Sequence, residues 1–284
     1  MSLLDLFDEL ESRDKQVCRA PFPYPGGKSK SLKHILPELP YRRTYVEPFG
    51  GSGAVLLSRR PSFLEVYNDR YGGVVAFYRC LADPIKYKEL EDRCYATIHS
   101  REDFIFCKTT WNKPHLDDIE RAFRWYYMVI SSFGSLSRNW ARATKTKNQN
   151  AGKIRDRVNE FIDLHRRLKH VQIENLDWTY CLKDYDSTDT VYYLDPPYLE
   201  VNAGIYKVGE FGQQDHVDLL ETVMDLEGFV AVSSYQNDLY DSYNWDRILK
   251  WDAVISIESS GCVDNGKTNN STRSKRTEVL YIKE

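Results

Sequence analysis

Asp195-Pro196-Pro197-Tyr198 brings a carboxylate, a proline-flanked carbonyl and an aromatic ring together, directly after the apolar run Val191-Tyr192-Tyr193-Leu194. An aspartate at a strand end accepts a hydrogen bond from an exocyclic amine, and a carbonyl followed by proline has no local amide to pair with. A neighbouring tyrosine can stack on a ring face. The set suits a flat, amino-bearing ring. A strand that ends in a Pro-Pro turn over a packed tyrosine has the same sequence, so the tetrad alone leaves both readings open.

Three further constellations narrow the choice. Glu47-Pro48-Phe49 runs into the turn Gly50-Gly51-Ser52-Gly53, where backbone amides and a helix start approach a ligand closely. Asn68-Asp69 follows at about 20 residues, the separation at which an acidic side chain accepts hydrogen bonds from ribose hydroxyls. Together they predict a nucleoside-containing ligand; a dinucleotide enzyme would show a similar pattern, although the full G-x-G-x-x-G is absent. Tyr24-Pro25-Gly26-Gly27-Lys28 sets a cation beyond two glycines, placed either for a ligand carboxylate or simply in solvent. Two basic clusters complete the set. One, within 138–157, holds Arg138, Arg142, Lys145, Lys147, Lys153, Arg155 and Arg157; the other holds Lys267, Arg273, Lys275 and Arg276. Each is either a solvated face or a phosphate-binding surface.

These groups need a scaffold. Thr44-Tyr45-Val46-Glu47 reads as a short buried strand, with a helix beginning at Ala54 after the glycine turn. Phe63-Leu64-Glu65-Val66-Tyr67 reads as a second strand, followed by a helix from Val74 to Leu81, so the first part predicts a β-α-β-α unit and a parallel sheet. A helix is also expected over Lys28 to Leu39 and another at Leu3 to Leu10. Residues 83–170 are helix-like and rich in charge and aromatics, with the longest helix from Ile119 to Phe133, and read as an insertion. Strands resume at Val171-Gln172-Ile173, Thr190 to Leu194, Gly228 to Ser233, Ala253 to Ile257 and Glu278 to Ile282, with a helix from Asp215 to Met224. The expected division is 1–82 and 171–284 for an α/β catalytic domain, and 83–170 for a mainly helical insert.

Composition bounds the class. With 42% hydrophobic and 29% charged residues the chain is globular, and no apolar run nears the roughly 18 residues of a membrane span. The acidic, amphipathic start Met1-Ser2-Leu3-Leu4-Asp5 is unlike a secretory signal, so a cytoplasmic location is expected. Cys18, Cys80, Cys94, Cys107, Cys181 and Cys262 are scattered without C-x-x-C pairs and are expected to be free thiols, with no metal site. The net charge of -3 argues weakly against a nucleic-acid partner, but local basic surface matters more than the sum.

In order, Tyr24-Pro25-Gly26-Gly27-Lys28, Glu47-Pro48-Phe49-Gly50-Gly51-Ser52-Gly53, Asn68-Asp69 and Asp195-Pro196-Pro197-Tyr198 resemble the Dam-like (D12 class) DNA N6-adenine methyltransferases. Phe211 with Asp215-His216, the Ser233-Ser234-Tyr235 strand end and the final Thr277-Glu278-Val279-Leu280-Tyr281-Ile282 look like later elements of the same fold. The resemblance implies a Rossmann-like class I methyltransferase sheet with helices on both faces and an inserted target-recognition domain. It implies S-adenosyl-L-methionine as cofactor, lying over the glycine turn with its ribose on Asp69 and its carboxylate near Lys28 and Tyr24. Asp177-Trp178 looks like the acidic-aromatic pair near the cofactor adenine. Asp195 and the Pro196 carbonyl would hold the amino group of a flipped-out target adenine, and Tyr198 would stack on the base. The chemistry implied is direct displacement on the sulfonium methyl.

The partner implied is double-stranded DNA, with no obligatory protein partner and no membrane. Arg138, Asn139, Trp140, Arg142, Lys145 and Lys147 would read bases and grip phosphates, joined by Lys267, Arg273 and Lys275. The Asn- and Gly-rich hairpin ending in Phe-Asn-Val-Pro of the best-known members is missing from 131–152, so recognition of GATC does not carry over. Alternatives with the same fold are methylation of cytosine N4, over which Asp rather than Ser at 195 favours adenine, or of RNA, and a non-catalytic DNA-binding regulator, which intact Lys28, Asp69 and Asp195 disfavour.

Overall fold

The strands of this chain are apolar enough to be buried on both faces, and that dictates a parallel sheet sandwiched between helices. A computed structural model describes residues 17–135, 137–142, 152–199, 211–254 and 275–284. Its strands are β1 (Thr44–Glu47), β2 (Leu64–Asn68), β3 (Val171–Glu174), β4 (Thr190–Leu194), β5 (Phe229–Tyr235), β6 (Arg247–Val254) and β7 (Lys275–Lys283), in a seven-stranded sheet ordered β3-β2-β1-β4-β5-β7-β6. The first five positions are parallel, and β7 runs antiparallel to both β5 and β6. Side chains alternate between faces as the pleat requires. Tyr45, Tyr67, Val191, Tyr193, Ala231, Leu280 and Ile282 enter one core; Val46, Val66, Tyr192, Leu194, Val230, Val232 and Tyr281 enter the other.

The helices are α1 (Leu32–Ile35), α2 (Ala54–Ser58), α3 (Gly72–Ala82), α4 (Lys86–Tyr95), α5 (Arg101–Thr110), α6 (Asp118–Ser131), α7 (Lys153–Val158), α8 (Phe161–Leu168), α9 (Trp178–Asp184), α10 (Gln213–Asp225) and α11 (Asp238–Asp241). Asp117 starts α6 by accepting the Glu120 amide at 2.7 Å, and α6 then buries Trp125, Tyr126 and Tyr127. The helices of 83–170 do not form a separate core. Tyr126 of α6 stacks on Phe77 of α3 with centroids 4.6 Å apart, and Trp125 meets Phe22 edge-on at 5.0 Å. Helix α8 is pinned beneath the sheet by buried Arg167, which pairs with Glu65 of β2 at 2.5 and 2.9 Å and donates to the Leu56 carbonyl at 2.6 Å.

Several expectations shift. The helix expected over Lys28 to Leu39 is broken into a 3-10 turn at Lys28–Lys30, α1, and a second 3-10 turn at Leu36–Glu38. Pro37 starts that second turn and has no amide to continue a helix. The strand expected from Ala253 begins six residues earlier, at Arg247, because Arg247, Lys250 and Asp252 hide its alternation behind charge on an edge strand. The segment Leu3 to Leu10 lies outside the described residues. Among the described residues no helix is long and apolar enough to cross a membrane. Cys18, Cys80, Cys94, Cys107 and Cys181 are free; Cys262 lies outside the described residues.

Candidate active site

Strands β1 and β4 are neighbours, but their connections leave in opposite directions, β1 to β2 and β4 to β5. Such a switch opens a crevice beyond the carboxyl ends of the two strands. A cavity of about 180 Å³ lies there, lined by residues from all four motifs.

Backbone geometry builds the β1 side. Gly51 (φ +49°) and Gly53 (φ +61°) adopt left-handed conformations that side chains disfavour. A Cβ at Gly50 would sit 2.2 Å from Cε2 of Tyr67. The turn is held from below: the Tyr67 hydroxyl donates to the Gly51 carbonyl and the Tyr78 hydroxyl to that of Ser52, each at 2.6 Å. Gly50 N–H reaches the Asn68 carbonyl at 2.7 Å. Buried Glu47 accepts the Leu56 amide at 3.1 Å, tying the strand end to the first turn of α2, and its burial pushes its carboxyl well above the usual range.

Asp69 accepts two amides, Gly51 at 2.8 Å and Tyr71 at 2.7 Å. Burial lifts its carboxyl to about 6, against the pull of those amides. The Asn68 amide joins three segments, donating to the Pro48 and Leu176 carbonyls and accepting Leu176 N–H at 2.8 Å. Asp177 caps α9 by accepting Thr179 N–H at 3.1 Å and its hydroxyl at 2.8 Å. Trp178 lies 6.3 Å from Phe49, whose other neighbour is Phe211 at 5.6 Å, edge-on. Tyr24 packs its ring against Gly51, and the Gly27 amide closes the Tyr24 turn at 2.9 Å through Gly26 (φ +71°), with Pro25 at its corner.

Side chains build the β4 side. The ammonium of Lys28, only 4% exposed, lies 2.7 Å from both oxygens of Asp195 and donates to the Gly26 carbonyl at 2.7 Å. Lys28 thus lines the cavity while pairing with the carboxylate of the tetrad. Burial raises the Asp195 carboxyl to about 6; Lys28 pulls it down and Glu278 pushes it up. Tyr198 is 7% exposed, with Lys28 4.8 Å from its ring centre, Tyr235 edge-on at 4.5 Å, and its hydroxyl donating to Glu278 at 3.1 Å. Pro197 lines the cavity and Pro196 is buried behind it.

Sequence reasoning assigned no role to Glu278, Ser31 and Trp251, which pair with one another beside the tetrad, or to Trp125, Val129 and Ser137, which line the cavity. One signal for Glu278 was present: it shares the pleat with core-facing Leu280 and Ile282, an unusual place for a carboxylate.

The basic candidates are distributed unevenly. Arg138, Asn139 and Arg142 are exposed around a short loop closed by the Ser132–Trp140 bridge and by Phe133 N–H on the Asn139 carbonyl at 2.7 Å. The Trp140 ring is engaged in packing, stacked on His99 at 4.8 Å with the Arg101 guanidinium 4.9 Å away. Lys275 opens β7 opposite Val254; Lys145, Lys147, Lys267 and Arg273 lie outside the described residues.

Comparison with known proteins agrees with the site. The pattern defining the D12 class N6 adenine-specific DNA methyltransferases matches residues 24–257. The chain is 26% identical over 229 residues to the type II methyltransferase M.CviBI of Paramecium bursaria Chlorella virus NC1A, spanning 77% of this chain and 85% of that protein. It is 28% identical over 122 residues to the DNA N-6-adenine-methyltransferase of Escherichia phage P1, spanning 42% of this chain and 16% of that protein. With its Rossmann-like sheet and motifs at the strand ends, the chain belongs to the D12 class N6 adenine-specific DNA methyltransferase family and is an adenine-specific DNA methyltransferase.

Proposed function

We propose that the enzyme takes a methyl group from S-adenosyl-L-methionine and places it on N6 of an adenine flipped out of double-stranded DNA, working in the cytoplasm without an obligatory protein partner. The observation that carries the reading is that Asp195 and Asp69 line one cavity from opposite sides of the β1/β4 switch. The residues present fit the cofactor: a carboxylate at the end of β2, a glycine turn that brings backbone close, and the aromatic pair Phe49 and Trp178 at one wall. Asp69 would hold the ribose, Asp177 and Trp178 would flank the adenine, Gly50 to Gly53 would underlie the sugar, and the Tyr24 turn would receive the amino-acid end. Bound there, the cofactor supplies an electrophilic methyl on a sulfonium.

The chain's own part is to make a poor nucleophile attack. The adenine amine is deactivated because its lone pair is delocalised into the ring. Asp195 and the Pro196 carbonyl accept its two N–H bonds, which favours a tetrahedral nitrogen and aims the lone pair. Lys28 keeps Asp195 ionised against its burial, and the arriving amine takes over one carboxylate oxygen from the ammonium. Tyr198 supplies the aromatic surface beside the base. Flipping costs a few kcal/mol, offset by stacking and by phosphate contacts. Residues 83–170 serve as the target-recognition segment, with Arg138, Asn139 and Arg142 on its exposed loop and Lys145 and Lys147 following. Lys267, Arg273 and Lys275 add further phosphate contacts.

The test is incubation with unmethylated duplex DNA and labelled cofactor, followed by digestion to nucleosides. N6-methyladenine is expected; label in N4-methylcytosine, or no label in the DNA, would overturn the reading.

A further inference from the structure

Glu278 lies on β7 opposite Tyr235 of β5 and Trp251 of β6, and is 6% exposed. A buried carboxylate is costly unless donors surround it, and here four converge on it from three segments of the chain. Oε2 accepts the Ser31 hydroxyl at 2.6 Å and the Trp251 indole N–H at 3.0 Å. Oε1 accepts the Tyr198 hydroxyl at 3.1 Å and lies 3.6 Å from the Lys28 ammonium.

The two oxygens therefore divide the labour. Oε2 meets Ser31, just after the 3-10 turn, and Trp251 of the edge strand, neither of which lines the cavity, and anchors the carboxylate in the fold. Oε1 meets two groups of the acceptor side. We infer that Glu278 is a positioning residue: through Oε1 it sets the orientation of the Tyr198 ring and shares Lys28 with Asp195, so that the amine acceptor and the aromatic surface keep one geometry. The inference rests on the proposed roles of Asp195 and Tyr198.

Glu278→Gln separates the two oxygens. Its amide oxygen satisfies Ser31 and Trp251, both donors, which turns the NH2 toward Tyr198 and Lys28 and reverses polarity only on the acceptor side. The expected result is a fall in kcat of roughly 10-fold, the scale of a small misplacement of reacting groups, with the KM for cofactor and the melting temperature little changed. In a Tyr198→Phe background the same substitution should cost less than about 3-fold, because the shared contact is already gone. Equal losses in both backgrounds, or a loss confined to KM, would overturn the positioning role. Glu278→Asp, which keeps the charge and shortens the reach, carries the same cycle if the glutamine variant does not fold. Asp195→Ala in the same assay separates the failures: an active Asp195→Ala sinks the reading of the tetrad, whereas an inactive one beside independent Glu278 and Tyr198 losses sinks only this inference.

Discussion

The two sides of the crevice are built by different means. At the ends of β1 and β2, these hydrogen bonds each have a backbone partner: Asp69 accepts two amides, Glu47 accepts one, and the turn carbonyls accept tyrosines anchored in the core. At the end of β4 the polar atoms are satisfied by one another, Lys28 shared between Asp195 and Glu278. A backbone-built half is sensitive to bulk and coupled to folding. A half built from side chains can lose its chemistry and keep its fold.

The sharpest way to break this contrast is Asp195→Ala. It should lower initial rates of methyl transfer roughly 10²- to 10³-fold, as when one oriented transition-state partner is removed. The melting curve by circular dichroism should stay in place, because Lys28 keeps Glu278 and the Gly26 carbonyl as partners. A large drop in melting temperature would erase the distinction.

On the other side Asp69→Asn should weaken cofactor binding about 10- to 100-fold by calorimetry, the worth of a charged hydrogen bond. Turnover at saturating cofactor should hold; an equal fall in kcat would make Asp69 part of the chemistry. Gly50→Ala should cost about 1–3 kcal/mol of stability in denaturant titration, because the added carbon meets the Tyr67 ring. An unchanged midpoint would show that the turn yields.

The mildest effect is that of pH. Asp195 and Asp69 both have carboxyls lifted to about 6 by burial, and both act ionised, so the rate at sub-saturating cofactor should fall to about a quarter near pH 6 and lower below it. The folded values lie above the unfolded ones, so the stability these two groups contribute is full below the unfolded value and is lost as pH rises through about 6. Acidification through that window should stop methylation without unfolding through these groups. A rate held down to pH 4 would place the carboxylates in water.

The readable part of the site was the part encoded locally. The glycine turn, Asn68-Asp69 and the Asp195 tetrad each end a strand within a few residues, and the parallel sheet follows from the alternation around them. Glu278 escaped assignment because its meaning depends on β7 inserting between β5 and β6, a pairing that brings Ser31 within reach across 247 residues of chain. Trp140 looked like a base reader from its basic neighbours, but His99 and Arg101, about 40 residues earlier, take its ring faces. The helices within 83–170 were legible; that Trp125, Val129 and Ser137 wall the cavity was not, since no local pattern marks them.

The contact between α3 and α6 bears on which segments of such an enzyme can be exchanged. A Cβ at Gly73 would fall 2.2 Å from Cδ1 of Trp125, and the Phe22, Phe77, Tyr126 and Phe161 rings interlock around that point. A chimera that exchanged 83–170 wholesale with a relative would cut through this aromatic joint and mismatch both halves. Exchanging only the short loop closed by the Ser132–Trp140 bridge would leave the joint whole.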